Sequence, residues 1–357
     1  MIQLFFPITG IFLDPLLILF TGLCGGFVSG FLGIGCGVII TPMLMEFGIP
    51  PLAAVATQLC HAVGTNFTGF ITYKRKMDVD FHLAAYMLLG GVFGTALELV
   101  ILSQTSNAKA IFHKFLYIYI SVLIVFGFIM LMQSFNEWKK KGSQKYTKTV
   151  SMRRWMLYLP LHKIFIRSRA EMSVIIPIFV GFLAGLLVAS LGGGNNLFMA
   201  PIITYLIGRI SPVVYGTTAL VGCVLTAFIA IIYSTGGYCC DMFFVLILFA
   251  GAALGSWIGV RLTYKIPRYY IYALAAVIVF LMAALQIFKI INNSFGKQLV
   301  AQINYHESMI FNLVGRNPIY YTCLCIIIII IVAICYERFL HKLYEKRKRR
   351  LLMEKRR

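Results

Sequence analysis

The sequence predicts an all-α, polytopic membrane protein of about eight or nine transmembrane helices arranged as two internal repeats, and three observations carry that prediction. The 357 residues are 60% apolar and 12% charged, against about 45–50% and about 25% in soluble domains. Their mean hydropathy is +0.87, and the apolar residues gather into runs near the roughly 20 residues that cross a bilayer. A glycine-broken run then occurs twice, each time heading a similar series of runs. A soluble enzyme, a disordered chain and a disulfide-stapled secreted domain all fit that composition poorly.

Taken in order, Met1–Leu13 has neither a basic leader nor a small-residue cleavage site and is expected to belong to the mature chain. Apolar runs follow at about 16–46, 52–72, 81–102, 111–133, 173–207, 212–234, 242–262, 269–291 and 319–336. The first and fifth are too long for one simple span, and glycines interrupt both. The first reads Gly33-Ile34-Gly35-Cys36-Gly37 before Val38 to Pro42; the second reads Gly192-Gly193-Gly194-Asn195-Asn196 before Leu197 to Pro201. The organisation expected from this is a first transmembrane repeat (1–134), a basic cytoplasmic linker (135–172), a second repeat (173–291), a loop (292–318), an extra helix (319–336) and a basic cytoplasmic tail (337–357).

The repeat is visible residue by residue. A shift of 159 carries Gly33 onto Gly192, Gly35 onto Gly194 and Pro42 onto Pro201. A shift of 161 carries Pro51 onto Pro212, Thr57 onto Thr218, Asp80 onto Asp241, Gly90 onto Gly251 and Gly94 onto Gly255. So many ordered matches are a poor product of chance. Four glycine pairs, Gly26/Gly30, Gly90/Gly94, Gly181/Gly185 and Gly251/Gly255, have the spacing that lets helices pack closely.

Charge orients the chain. Lys and Arg number 32 against 12 Asp and Glu, and most of the resulting +20 lies between Glu137 and Glu171 and in the tail from Arg338. Basic blocks beside apolar spans mark the cytoplasmic face and touch anionic headgroups, so the expected partner is a lipid bilayer and not nucleic acid. The loop with Lys74, Arg75 and Lys76 belongs inside, while its repeat mate 235–241 has no Lys or Arg. The next loop reverses the contrast: 103–110 holds only Lys109, while 261–268 holds Arg261, Lys265 and Arg268. Such a swap is what inverted repeats require, provided each broken run crosses twice or makes no net crossing. If each crosses once, the repeats are parallel and the tail ends outside.

The breaks are the candidate site. Unpaired backbone inside a bilayer must face protein or a wet cavity, and two breaks at corresponding places are the best sequence pointer to a transporter's binding site. Half-helices starting near Gly37 and Asn196 would aim N-terminal N–H groups at the break, an arrangement that holds anions. The candidate substrate-binding residues are Gly33, Gly35, Gly37, Thr57, Gln58, Gly192, Gly193, Gly194, Asn195, Asn196, Thr217 and Thr218. His61, about mid-span, is a candidate proton relay; Glu46 and Glu98 lie near span ends and are expected at the interface. The bland alternative is that these glycines only pack helices and these polar groups only bond neighbouring backbone. Most of the nine cysteines sit in apolar runs and read as small hydrophobes; no metal, cofactor or catalytic cluster is expected. Phosphate-loop, nucleophile-elbow and metalloprotease patterns do not occur.

At residues 26–42, Ala56-Thr57, 191–201 and Thr217-Thr218 the chain resembles the sulfite exporter TauE/SafE family, also called the 4-toluene sulfonate uptake permease family, over about 16–291. Cys36 stands where that family's Gly-x-Gly-Gly-Gly pattern has a glycine, and the basic linker, the extra span and the tail are additions. The resemblance implies a multi-pass transporter of a small sulfur-containing or organic anion. The expected function is therefore secondary transport of a small anion, such as sulfite or a sulfonate, in a bacterial inner membrane, with a homo-oligomer left open. The alternatives are a transporter or channel for a neutral or cationic solute, and a non-transporting membrane scaffold; a membrane enzyme ranks last.

Overall fold

The computed structural model describes residues 4–6, 11–32, 36–49, 51–75, 79–103, 161–165, 168, 170–192, 199, 202–203, 212–235, 240–263, 268–291, 319, 322–336 and 338, with scattered positions in 117–139. Gly33, Gly35, Gly193, Gly194, Asn195 and Asn196, the loop 292–318 and most of the linker and tail lie outside the described residues.

The protein is mostly helical. The first half supplies α1 (Pro15–Leu32), α2 (Gly37–Glu46), α3 (Pro51–Arg75) and α4 (Phe81–Ser103); the second supplies α5 (Ile175–Leu191), α6 (Pro212–Thr235), α7 (Met242–Thr263) and α8 (Arg268–Ile291). Leu123–Met132 and Thr322–Tyr336 are further apolar helical stretches. The bounds of α3, α4, α6, α7 and α8 match the apolar runs within a few residues, for local reasons. Pro51 and Pro212 occupy first helical positions, where a missing N–H costs nothing. Asp14 caps α1, its Oδ1 accepting from Leu16 N at 3.0 Å, and Asp80 caps α4, its Oδ1 accepting from Leu83 N at 3.2 Å.

Phe81–Val100, Val213–Thr235 and Met242–Gly259 are long and apolar enough to cross a membrane on their own. Helix α3 is longer, but it carries Thr57, Gln58, His61, Thr65, Asn66 and Thr68 among its apolar residues.

The glycine break in the first half reverses the chain. A Cβ placed on Gly25 of α1 would run into Ile40 of α2. Fifteen residues of continuous helix would hold those positions about 22 Å apart, so α2 folds back along α1.

Glycine faces then join the halves. On the α1–α7 contact, a Cβ at Gly22, Gly26, Gly251 or Gly255 would land on the carbonyl oxygen of Leu248, Ala252, Leu19 or Leu23 respectively. On the α4–α5 contact, Gly90, Gly94, Gly181 and Gly185 meet Ile178, Phe182, Met87 and Gly91 in the same way. Every one of these contacts maps onto its counterpart under the shifts of 159 and 161. Partner numbers rise together in both pairs, so α1 runs parallel to α7 and α4 parallel to α5. In α1 this face includes Gly22 as well as Gly26; the surroundings of Gly30 lie outside what is described. By contrast, α3 and α6 run antiparallel: Cys60 meets Cys240, just beyond α6, Gly69 meets Ala219 and Tyr73 stacks on Tyr215.

Two departures from expectation have clear causes. The protein is not purely helical: β1 (Leu4–Phe6) pairs antiparallel with β2 (Ile11–Leu13), and β3 (His162–Phe165) with β4 (Ala170–Ser173). Each hairpin immediately precedes a broken run and seats one aromatic, Phe6 on Phe244 and Phe165 against Tyr86. Glu98, expected at the interface, is buried, while Glu46 is exposed. Glu98 follows Gly90 and Gly94 at helical spacing, on the face of α4 that packs against α5.

Candidate functional site

The site is built where the first break meets α3. Cys36 is the N-cap of α2, and its carbonyl accepts from Ile39 and Ile40 N–H at 3.1 and 2.9 Å. Among the described residues no side chain caps this turn, so the leading N–H groups of α2 face the break, as the geometry of a helix start dictates. The ten residues of α2 span about 15 Å, half of a hydrocarbon core of about 30 Å.

Opposite that turn lies the polar stretch of α3. Thr57 and His61 are four residues apart and share one helix face, with Gln58 beside them. All three are buried. Cys36 Sγ lies 3.6 Å from His61 Nδ1, and Gln58 Nε2 donates to the same sulfur at 3.6 Å. The His61 ring also meets the edge of Phe249 on α7, with centroids 6.2 Å apart. Among the described residues, Thr57 Oγ1, Gln58 Oε1 and His61 Nε2 have no hydrogen-bond partner. Three orphaned polar atoms in buried space are costly unless something fills their valence, because each forfeits about 1–3 kcal/mol of solvation.

The second half reaches the same place. Helix α5 ends at Gly192, which is left-handed (φ +67°) and donates its N–H to Val188 O at 3.1 Å. A Cβ there would sit 2.8 Å from Thr41 Oγ1 and 3.0 Å from Gln58 Cγ. Glycine is thus required twice over, by conformation and by space.

The sequence-picked residues therefore divide. Gly37, Thr57, Gln58, His61 and Gly192 gather around the turn of α2. Thr217 and Thr218 are buried elsewhere, toward the Gly69–Ala219 end of the α3–α6 pair. Thr217 Oγ1 donates to Val213 O at 2.6 Å and accepts the Asp80 N–H at 3.0 Å, while Thr218 donates to Tyr215 O at 3.2 Å. The other six chosen positions fall outside the described residues. Sequence reasoning passed over two participants. Cys36 read as a lost glycine and is the hub of the polar contacts; Thr41, one turn into α2, touches Gly192. The Cys36 signal was its place in the break, a polar substitution where the pattern has no side chain. Among the described residues no three His, Cys, Asp or Glu gather as a metal would need.

A family model described as sulfite exporter TauE/SafE matches residues 18–285. The chain is similar to the "Probable membrane transporter protein YjnA" of Bacillus subtilis, 25% identical over 257 residues, covering 71% of this chain and 90% of that one. It is also similar to the "Probable membrane transporter protein YunE" of Bacillus subtilis, 23% identical over 206 residues, 52% of this chain and 66% of the relative. A third relative, a "Probable membrane transporter protein" of Haemophilus influenzae, is 32% identical over 107 residues, 29% of this chain and 40% of its own. No solved structure matches.

Proposed function

Given that the chain belongs to the sulfite exporter TauE/SafE family of membrane transporters, we propose that it is a secondary transporter of a small anion, with sulfite, a sulfonate or a related organic anion as the substrate class. The observation that carries this reading is the uncapped start of α2 at Cys36, facing the unpartnered atoms of Thr57, Gln58 and His61. A helix N-terminus at half-membrane depth supplies about half a positive charge and free N–H donors without any lysine or arginine. Gly33 and Gly35 from the first break, and Gly193, Gly194, Asn195 and Asn196 beyond Gly192, complete the site in this reading. His61 is its proton relay, next to the substrate. Thr217 and Thr218 hold the start of α4 and α6 instead.

The architecture proposed with it is a pair of inverted repeats, eight or nine spans in all. Supporting this are the fold-back of α2, which lets a broken run make no net crossing, and the antiparallel course of the corresponding helices α3 and α6. The basic linker (135–172) and tail (337–357) then share the cytoplasmic side of a bacterial inner membrane, against anionic headgroups.

A neutral or cationic solute is the second reading, favoured by one observation: Gln58 Oε1 and Thr57 Oγ1 are oxygens able to accept a proton donor. Solute-induced thermal stabilisation of the purified protein separates the two, with sulfite, sulfate, thiosulfate, sulfoacetate, taurine and neutral analogues as probes. A selective rise with one anion, lost in a folded Gln58→Ala variant, is expected. A rise with neutral solutes alone transfers the site to the second reading, and no rise with any probe rejects the anion assignment.

A further inference from the structure

Cys60 and Cys240 stand apart from the other cysteines. Their sulfurs are 2.9 Å apart, beyond the length of about 2.05 Å of a formed bond, so both are thiols here. Both side chains are buried, 1% exposed. Cys60 lies in α3, directly before His61; Cys240 lies two residues before α7, and the two are 180 residues apart. Packing alone does not call for sulfur at these places. The 161-residue shift carries them onto Val221 and Val79, which are also buried. The corresponding place in the other half therefore carries no thiol pair. Cys240 belongs to the segment 235–241, which has no Lys or Arg and by the charge rule faces away from the basic linker, toward the compartment where disulfides persist in bacteria.

We propose that Cys60 and Cys240 are a dithiol–disulfide site that fastens the residues leading into α7 to α3 beside the polar cluster. The oxidant is a disulfide. The Cys240 thiolate attacks one of its sulfurs, forming a mixed disulfide and releasing one thiol. The Cys60 thiolate then attacks the Cys240 sulfur, closing the Cys60–Cys240 bond and releasing the second thiol. Two protein thiols and one disulfide become one protein disulfide and two thiols, so protons and electrons balance. Both sulfurs are buried, so the oxidant reaches them when Cys240 and α3 part. The bond then holds Cys240 against α3 and closes a 180-residue separation, which constrains the unfolded chain. None of this depends on what the protein transports.

The test uses the full chain in liposomes, treated with 4,4′-dithiodipyridine, alkylated and digested without reductant. The expected product is a Cys60–Cys240 linked peptide that dithiothreitol removes and that is absent from Cys60→Val and Cys240→Val, variants that copy the valines of the other half. The oxidised parent is also expected to unfold several degrees higher than the reduced parent, a rise neither variant shows. The proposal is overturned if the folded protein yields no such peptide while the denatured protein reacts at both cysteines. It is equally overturned if Cys60 links to Cys239 instead.

Discussion

Gly192 rests on Gln58. The residue that caps the end of α5, turned left-handed, brings the second half of the chain against the polar stretch of the first, with Thr41 close by on the same side. A methyl group there has no room and the wrong backbone. Gly192→Ala is expected to lose about 1–2 kcal/mol from the left-handed conformation alone, with more from the 2.8 Å approach to Thr41 Oγ1. It should also abolish any ligand-induced stabilisation by displacing Gln58. Thermal unfolding with and without probe anions checks both; an unchanged midpoint would contradict the contact.

The paired glycine faces make a matched prediction. Gly90→Ala drives a methyl group into Ile178 O and Gly251→Ala drives one into Leu19 O. These are corresponding positions, so the two variants should be destabilised alike, by about 1–3 kcal/mol each from overpacking. Gly69→Ala is the control: its Cβ would find Ala219 at an ordinary 3.5 Å. Inside a helix that change should stabilise by about 0.5–1 kcal/mol. Unfolding of all three in one detergent decides it.

Asp80 is a buried junction. Its carboxylate caps α4 and accepts from both N and Oγ of Ser168 at 3.2 Å, while its own N–H is held by Thr217. Thr217→Val strands that N–H and should cost about 1–3 kcal/mol. Thr218→Val removes only a bond within its own helix and should cost less. Denaturant unfolding of the pair measures the difference, and an equal loss would reject the role given to Thr217.

Gln286 on α8 is fully buried, and neither amide atom has a partner among the described residues. Replacing it with leucine removes an unsatisfied donor and acceptor from an apolar bundle. Gln286→Leu is therefore expected to raise stability by about 1–3 kcal/mol, read as a higher unfolding midpoint. A lower midpoint would mean that the amide is satisfied by a ligand or water.

Much of this was legible in the sequence, for physical reasons. Apolar runs fix helix positions because a bilayer leaves the backbone little choice, so α3, α4, α6, α7 and α8 fall where the runs do. The break before Gly37 was legible because glycine clusters are rare inside spans. What escaped is what depends on tertiary contact. The hairpins at Leu4–Leu13 and His162–Ser173 are three- and four-residue strands, too short for a periodic signal. Thr57 and Thr218 look equivalent as repeat mates, yet among the described residues the Thr57 hydroxyl has no partner and the Thr218 hydroxyl has one. Only the antiparallel docking of α3 on α6 separates them. Cys36 was hidden by its own chemistry, since a buried cysteine usually acts as a small hydrophobe.

The glycine faces also set a waiting time. Helix α1 finds its partner only when α7 has been made, some 200 residues later in the chain; α4 waits for α5 across some 70 residues. At synthesis rates of about 5–20 residues per second, the α1 face stands open for roughly 10–40 seconds and the α4 face for roughly 4–14. During that interval lipid tails or the insertion machinery must occupy the grooves over Gly22 and Gly26. A bulkier residue at either position would disturb the mature contact, while the nascent chain could still insert. Variants at these glycines should therefore fail late, as full-length protein that reaches the membrane and is then degraded.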